Sequence, residues 1–339
     1  MNLTKIKKIL VIKLRHHGDV LMATPVFQVL QKRMPQAQID AYIYAETKPM
    51  LEGHPAIQDF ILYDKSRKTL MSELKRLWQI RKNRYDLVIN LTEGDRGAVA
   101  AWVSGAKVRV GVDPEGTGMW GKSSMYTHLC RNCPNPRHAV ERGLDVLRVI
   151  GIFPKSEERE LFFKTDSTYT PPLDDYILIH PVSRWMFKSW PAEKMAKLIH
   201  ILAERGEKII LTSSPSDIER QMLSKIELLC PNIELINLGG KTSLKELGTL
   251  IKNTKLLITV DSVPLHIASA LKAPCLAIFG PTSEVNWAPY RNPNARVVAQ
   301  NMPCRPCYRA GCSDSGRSDC LETLEVSAVV DELKTLCPL

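Results

Sequence analysis

Short apolar runs alternate along the chain with segments in which apolar residues recur every three or four positions. The runs predict buried strands at residues 8–14, 38–44, 85–91, 176–180, 208–212, 255–260 and 275–279. The spaced segments predict helices at residues 19–32, 191–205, 216–229, 243–253, 264–271 and 324–336. Strands that alternate with helices form βαβ units, so the pattern predicts parallel sheets.

The length of 339 residues suggests two domains. A polar, proline-containing stretch at residues 165–175 has the composition of a linker. We therefore expect two doubly wound α/β domains, at residues 1–170 and 171–322. The last segment, 323–339, is expected to form a helix that packs back on the first domain. Such sheets bind ligands beyond the carboxyl ends of their strands, so the loops after the strands are the candidate sites.

The first such loop has the sequence RHHGD, from Arg15 to Asp19. Gly18 suits a tight turn, and Asp19 is either the cap of the following helix or a general base. His16 and His17 are exposed to solvent or contact a ligand. The loop lacks the G-x-G-x-x-G fingerprint, which argues against a nicotinamide-dependent oxidoreductase.

A second loop, residues 180–191, carries Ser183, Arg184 and Lys188 before a helix that opens with Pro191. Two cations there suit a phosphate, whereas the alternative is an ordinary surface loop whose charges are solvated. Two tryptophans in the loop favour a packing or ligand role.

The third loop places Asp261 and Ser262 before a helix that begins near Pro264. Unpaired N–H groups of a first helical turn suit a diphosphate, and His266 lies one turn beyond Ser262. The alternatives are a cap for Asp261 and a core histidine for His266. A fourth loop, residues 280–283, follows the next strand and is expected to close over the same site.

Other motifs are less specific. Gly239–Thr242 resembles the end of a P-loop, but Leu235 occupies the position of its first glycine. Four cysteines, Cys304, Cys307, Cys312 and Cys320, have a spacing that suits tetrahedral zinc. The alternative is four reduced structural cysteines.

The net charge of +10 is concentrated in the first half of the chain. Residues 1–170 hold 27 basic and 18 acidic side chains, against 19 and 18 in the remainder. The segment 65–84 is the most basic, with an apolar stripe of Leu70, Leu74, Leu77 and Trp78. The stripe either lies on an anionic membrane surface or packs on the sheet, and we expect the latter.

Composition also limits the class of protein. No apolar run reaches the ~18–20 residues of a membrane-spanning helix, and residues 1–17 have too short an apolar stretch for a signal peptide. We therefore expect a cytoplasmic protein. The pI of about 9.1 admits a nucleic-acid-binding protein, but RNP, KH and zinc-finger patterns are missing, so we expect no nucleic acid.

Several segments together resemble one known family. VIKLRHHGDVLMATPV, PVSRWMFKSWP, VDSVPLHIASAL and FGPTSEVNW, followed by the cysteine cluster, resemble the ADP-heptose:lipopolysaccharide heptosyltransferases of glycosyltransferase family 9. The resemblance spans the chain in order. RHHGDVL and VDSVP are most similar to the heptosyltransferase III branch, although Val263 stands where most relatives have glycine.

The resemblance implies a GT-B fold, with two Rossmann-like domains facing a central cleft. It implies an acceptor-binding first domain, in which Arg15, His16 and His17 are the candidate acceptor contacts, and an ADP-sugar-binding second domain. In its terms Asp19 is the general base and Lys188 neutralises the donor diphosphate. The remaining donor contacts it implies are Ser183, Arg184, Asp217 near the ribose, Thr242 near the adenosine, Asp261, Ser262 and His266.

The implied activity is that of an inverting glycosyltransferase. It moves L-glycero-D-manno-heptose from ADP-heptose to a heptose of the phosphorylated lipopolysaccharide inner core, as the branch heptose III, at the cytoplasmic face of the inner membrane. No cofactor is required, and zinc is the one metal the cysteines suggest. Heptosyltransferase I or II activity, or a different nucleotide sugar, is the alternative.

Overall fold

The structure is a computed structural model that describes residues 3–67 and 69–336. The chain divides into two compact units, residues 1–164 and 165–339. The boundary falls at the start of the expected linker. Asp166 is held to the second unit, because its N–H donates to the Lys245 carbonyl and its carbonyl accepts from the Thr249 hydroxyl.

The first unit contains a six-stranded parallel sheet with helices. Its strands are β1 (Lys8–Lys13), β2 (Gln38–Tyr44), β3 (Asp59–Tyr63), β4 (Leu87–Asn90), β5 (Val108–Val112) and β6 (His128–Cys130). Its helices are α1 (His17–Leu21), α2 (Thr24–Arg33), α3 (Leu70–Lys82), α4 (Asp95–Ser104) and α5 (Ala139–Arg148). The strand order is β3-β2-β1-β4-β5-β6.

The second unit repeats this architecture. Its strands are β7 (Tyr176–His180), β8 (Lys208–Leu211), β9 (Leu235–Asn237), β10 (Leu256–Val260), β11 (Cys275–Phe279) and β12 (Ala295–Ala299). Its helices are α6 (Ala192–Glu204), α7 (Asp217–Leu228), α8 (Leu244–Asn253), α9 (Val263–Leu271), α10 (Glu284–Trp287), α11 (Asp319–Glu322) and α12 (Val326–Leu336). The strand order is β12-β11-β10-β7-β8-β9.

The chain order reverses at one place in each sheet. In the first unit β1 pairs with both β2 and β4, and in the second unit β7 pairs with both β8 and β10. The loops after the two strands on either side of such a reversal diverge, which leaves room for a ligand between them. The candidate loops therefore belong to strands at these two positions.

All seven strands predicted from apolar runs are present, and five further strands escaped prediction. Four of these, β3, β6, β9 and β12, lie at sheet edges. An edge strand is buried less completely than a central one, so its sequence lacks the continuous apolar run. The fifth, β5, carries Arg109 and Gly111 within its five residues.

The predicted helix at residues 19–32 is two helices. α1 ends at Leu21, and α2 begins at Thr24 with Pro25 in its first turn. Proline has no backbone N–H to donate and is favoured at the start of a helix, so it divides the segment here.

Helix α3 buries a different face from the one predicted. Leu70, Leu74 and Trp78 are exposed, whereas Ile80 is fully buried and Arg76 nearly so. The Arg76 guanidinium lies 4.3 Å from the centre of the Tyr63 ring and donates to Glu73. Leu77 is half-buried and packs against the core of the first unit, so the prediction that the stripe packs on the sheet is confirmed for Leu77 and wrong for Leu70, Leu74 and Trp78.

The last helix, α12, packs on β11, β12 and α6 of the second unit. Its buried residues Val329 and Leu333 belong to that unit's core. The expectation that the last segment packs back on the first domain stays a prediction. Among the residues that the structure describes, no helix is long and apolar enough to cross a membrane.

A buried histidine gives the first unit a pH-dependent stability. His54 packs between Phe27 and Phe162, and burial lowers its pKa to about 4. Between pH 6.5 and 4 the unfolded chain binds a proton that the folded chain does not, so acidification favours unfolding. We expect this one group to lower the free energy of unfolding by at most about 1.4 kcal/mol per pH unit in that window.

Denaturant unfolding at a series of pH values checks this prediction. His54→Gln is expected to flatten the pH dependence between pH 6.5 and 4. His200→Gln, at an exposed position in the second unit, is the matched control and is expected to keep the wild-type slope. An unchanged slope in His54→Gln would contradict the prediction.

Candidate functional site

The sequence-predicted donor residues of the second unit follow strands of one parallel sheet. Ser183, Arg184 and Lys188 follow β7, Asp217 follows β8, and Thr242 follows β9. Asp261, Ser262 and His266 follow β10. Because the carboxyl ends of parallel strands meet at one edge of a sheet, these residues belong to the same edge.

An ion pair joins the loops on either side of the sheet's reversal. The Lys188 ammonium donates to Asp261 Oδ2 at 2.7 Å, and the Thr282 hydroxyl donates to the same oxygen at 2.7 Å. Lys188 comes from the loop after β7, Asp261 from the end of β10, and Thr282 from the loop after β11. The carboxylate is buried, so the cation and the hydroxyl offset the cost of removing its charge from water.

The loop that carries Lys188 is fixed at both ends. Trp190 is fully buried, and its indole N–H donates to the Leu324 carbonyl at 3.3 Å. The Ser318 hydroxyl donates to the Phe187 carbonyl at 2.7 Å, and a 3-10 turn spans Met186–Lys188. Lys188 therefore projects from an anchored segment rather than from a free surface loop.

Helix α9 begins directly beside this ion pair. Ser262 is its N-cap residue, but the Ser262 side chain does not cap the helix. The Ser262 hydroxyl instead lies 3.2 Å from the Thr259 hydroxyl. Pro264 has no backbone N–H, and the Leu265 N–H donates to the Ser262 carbonyl at 3.2 Å. The first turn therefore offers the Val263 N–H and the positive end of the helix dipole.

Val263 occupies the first turn of α9. Its φ angle is not in the left-handed region, and it has an ordinary helical conformation. Valine therefore fits here without backbone strain. His266, one turn further on, is buried, as the core-histidine alternative expected.

A second buried histidine ends β7. His180 Nδ1 lies 3.0 Å from the Thr212 hydroxyl, and burial lowers the pKa of this imidazole to about 4. It is therefore neutral at pH 7. Its carbonyl accepts from Thr259 at 3.1 Å, which ties the ends of β7 and β10 together.

The remaining predicted donor residues are not part of the ion pair. Ser183 is buried and accepts a hydrogen bond from the Trp185 N–H. Arg184 is exposed, with its guanidinium 5.5 Å from the centre of the Trp185 ring. Asp217 is exposed in the first turn of α7 and pairs with Arg220, and Thr242 is half-buried before α8.

In the first unit, Asp19 lies in α1, directly after β1. The N-cap residue of α1 is His16, and Asp19 is in the first turn and only half-buried. The interpretation of Asp19 as the helix cap is therefore wrong. Gly18 is not left-handed either, since it adopts the ordinary backbone of α1.

Lys13 is a charged neighbour of Asp19 that the sequence analysis missed. Its ammonium donates to the Leu91 carbonyl at 3.0 Å, at the end of β4, and so bridges the reversal of this sheet. Burial lowers the pKa of Lys13, whereas the Asp19 and Glu93 carboxylates oppose that shift. A lysine at the end of an apolar run, just before a candidate loop, was the available signal.

The other residues of the first loop are more peripheral. Arg15 and His16 are exposed. His17 Nε2 lies 2.9 Å from the Glu46 carbonyl, in the 3-10 segment Ala45–Met50 after β2. This contact joins the loop after β1 to the loop after the neighbouring strand.

Each of the two parallel sheets has polar groups at the point where its strand order reverses, as in many enzymes that bind nucleotide sugars. Comparison with known proteins identifies the family. The model of glycosyltransferase family 9 (heptosyltransferase) matches residues 74–316. The lipopolysaccharide heptosyltransferase 3 of Escherichia coli K12 is 34% identical over 319 residues, which cover 86% of this chain and 89% of that protein. This chain belongs to the heptosyltransferase family.

Solved structures support the same fold. A family 9 glycosyltransferase from Veillonella parvula has a TM-score of 0.80 at 24% identity, covering 99% of this chain and 98% of that one. The E. coli heptosyltransferase WaaC, solved with ADP, has a TM-score of 0.74 at 19% identity, covering 97% and 100%. At these identities the likeness concerns the fold, and it confirms the GT-B architecture expected from the sequence.

The cysteines of this heptosyltransferase do not form a metal cage in the described residues, where no group of three potential ligands could hold a metal ion. Cys304, Cys307 and Cys312 are exposed, and Cys320 is buried. The Asp319 N–H donates to Cys312 Sγ at 3.3 Å. The four cysteines precede α12 in the chain, and the Cys307 N–H donates to the Pro281 carbonyl at 3.0 Å, one residue before Thr282.

Removal of the cation from this ion pair is expected to destabilise the second unit. Lys188→Met leaves the Asp261 carboxylate buried with only the Thr282 hydroxyl, which we expect to cost about 2 kcal/mol of unfolding free energy. Adding Asp261→Asn to the Lys188→Met variant removes the unpaired buried charge and is expected to recover part of the lost unfolding free energy.

Denaturant unfolding of the single and double variants measures this coupling. Lys225→Met is the matched control, because Lys225 also contacts a carboxylate at 2.7 Å but both partners are more than half exposed. Such surface pairs contribute little, so we expect a change below about 0.5 kcal/mol. Equal losses of unfolding free energy in Lys188→Met and Lys225→Met would show that burial of the ion pair does not determine its contribution to stability.

Proposed function

We propose that this protein transfers L-glycero-D-manno-heptose from ADP-heptose to a heptose of the phosphorylated lipopolysaccharide inner core, as the branch heptose III. The observation that carries the proposal is its 34% identity to the E. coli lipopolysaccharide heptosyltransferase 3 over most of both chains. The ADP in the structure of E. coli WaaC supports an adenine nucleotide as the leaving group.

The polar groups at the reversal of the second sheet suit a diphosphate. Lys188 has three N–H donors, of which Asp261 accepts one, so others remain for phosphate oxygens. The N-terminus of α9 supplies the Val263 N–H and a partial positive charge. Asp261 and Thr282 then act as positioning residues that hold the Lys188 ammonium at the donor.

We assign the other donor contacts in the same unit. Ser262 and His266 are proposed to contact the diphosphate and heptose, with Ser183 and Arg184 in the same pocket. Asp217 is proposed to bind the ribose hydroxyls and Thr242 to lie near the adenosine. Their common support is the resemblance of the sequence and their position after neighbouring strands of one sheet.

The chemistry is a single displacement with inversion at the anomeric carbon. Asp19 takes the proton of the acceptor hydroxyl, and the acceptor oxygen forms a bond to the anomeric carbon of the heptose. The bond from that carbon to the diphosphate oxygen breaks, and ADP leaves with the electron pair. Lys188 and the N-terminus of α9 stabilise the charge that develops on the leaving diphosphate.

Lys13 is proposed to position Asp19. Its ammonium is held by the Leu91 carbonyl and attracts the Asp19 carboxylate, which would keep that carboxylate in place for the acceptor hydroxyl. Arg15, His16 and His17 are proposed to contact the acceptor. The acceptor is a glycolipid, so we propose that the enzyme works in the cytoplasm, peripherally at the inner membrane, without a required cofactor.

A transfer assay tests the proposed function. Purified protein is incubated with ADP-heptose and inner-core oligosaccharides that lack the branch heptose, with and without their phosphates, and the products are analysed by mass spectrometry. We expect a gain of one heptose on the phosphorylated core. No gain on any inner-core acceptor would reject the function, and a gain only on a core without its main-chain heptoses would indicate a different member of the family.

Asp19→Asn is expected to separate chemistry from donor binding. Loss of the general base should lower kcat by about 10²–10⁴-fold. The donor Kd, measured by calorimetry with ADP-heptose, should be unchanged because Asp19 belongs to the other unit.

The matched control is Asp95→Asn. Asp95 is also a first-turn carboxylate, in α4, and pairs with Lys122 at 3.1 Å. We expect near-wild-type turnover from this control. Near-wild-type turnover from Asp19→Asn would remove Asp19 from the mechanism.

A further inference from the structure

Helix α3 of the first unit exposes large apolar side chains on one face. Leu70 is 77% exposed, Met71 74%, Leu74 53% and Trp78 62%. Leu70, Leu74 and Trp78 are spaced by four residues, which puts them in a row along the helix. A continuous apolar row on the surface of a protein is uncommon and indicates an interaction site.

The neighbouring segments extend this face. Helix α4 packs against both α3 and the 3-10 turn Lys122–Met125. Ile80 of α3 and Ala98 and Ala101 of α4 share one core cluster on the sheet, and Met125 packs against it. The three segments therefore cover the same side of the sheet.

Two more tryptophans are exposed in these segments. Trp102, near the end of α4, is 59% exposed, and Trp120, just before the 3-10 turn, is 98% exposed. We call Leu70, Met71, Leu74, Trp78, Trp102 and Trp120 the apolar face. An almost fully exposed tryptophan makes little packing contact within its own chain. A large aromatic side chain at such a position therefore indicates a contact with another molecule.

Basic side chains surround the apolar face. Lys75, Lys82 and Arg84 are exposed, and the Lys82 ammonium lies 4.8 Å from the centre of the Trp78 ring. The acid of α3, Glu73, is engaged by Arg76 at 2.9 Å and lies 3.8 Å from Arg96. The charge presented around the apolar side chains is therefore positive.

Exposed apolar side chains with positive charge around them suit some binding partners better than others. A second copy of the chain would bring like positive charges together, which disfavours a symmetric dimer through this face. A bilayer with anionic headgroups attracts the lysines and arginines, accepts leucine and methionine below the headgroups, and accommodates tryptophan at the interface. Long basic side chains keep their charges at headgroup level while their stems lie along apolar surface.

We propose that the apolar face docks the protein on a bilayer that carries anionic lipid headgroups. The inference rests on the proposed function in one respect, that the acceptor is a membrane glycolipid. Lys65 and Arg76 are not part of this surface, because Lys65 pairs with Glu46 at 2.8 Å and Arg76 is buried. The docking surface thus consists of side chains of α3 and α4 together with Trp120, rather than the whole basic segment.

Vesicle flotation tests the proposal. The variant Leu70→Gln/Leu74→Gln/Trp78→Gln removes exposed apolar groups but keeps residues that favour helix. We expect its partition onto phosphatidylglycerol-containing vesicles to fall at least about tenfold. We also expect wild-type binding to weaken with added salt and on purely phosphatidylcholine vesicles.

The matched control removes the same kind of group from the second unit. Ile218, Leu228 and Val285 are also more than half exposed. The variant Ile218→Gln/Leu228→Gln/Val285→Gln is expected to bind vesicles like wild type. Equal binding by both triple variants, with circular dichroism showing both folded, would overturn the proposal. So would a wild-type dimer that the α3 variant alone converts to monomer with vesicle binding unchanged.

A second readout separates this proposal from the proposed function. On a soluble, delipidated core oligosaccharide the α3 variant is expected to match wild type, whereas on the same core in vesicles its rate should fall. Wild type that binds vesicles but transfers heptose to neither acceptor would refute the function and leave the docking surface supported. Equal vesicle-acceptor rates for wild type and the α3 variant would refute the docking surface alone.

Discussion

The buried contact between Lys188 and Asp261 is the constraint on which the second unit's site depends. The two residues follow β7 and β10, the strands between which the chain order reverses. Asp261 tolerates burial because Lys188 and Thr282 both donate to it. In satisfying the carboxylate, the fold also fixes an ammonium beside the open end of α9, which is the arrangement an anionic leaving group needs.

The first unit also has a lysine near a carboxylate at the point where its strand order reverses. Lys13 bridges β1 and β4 at the corresponding reversal, and its charge lies near Asp19. Here the carboxylate near the cation is half exposed instead of buried. The same topology thus places a lysine near a carboxylate in both units, and the proposed glycosyl transfer uses the lysine of one unit and the carboxylate of the other.

The sequence predicted the central strands that are buried on both faces and missed the edge strands that are partly exposed to solvent. Central strands such as Tyr176–His180 are buried on both faces, so their residues form an unmistakable apolar run. Edge strands such as Asp59–Tyr63 share their residues with solvent and lose that signal. In α3 the spacing of the apolar residues predicted that Leu70, Leu74 and Trp78 face the sheet. They are exposed, and the Arg76 guanidinium packs against the Tyr63 ring instead.

The sequence by itself determined the α/β class, two domains, the family and the loops in which the candidate residues lie, since local periodicity and motifs carry that information. Only the tertiary structure decided which of these residues meet. Lys188 and Asp261 are 73 residues apart in the chain, and their contact exists because parallel pairing of β7 with β10 brings two strand ends together. It likewise decided that Asp19 is not a cap and that α3 presents Leu70, Leu74 and Trp78 to solvent, because both depend on which neighbours compete for the same space.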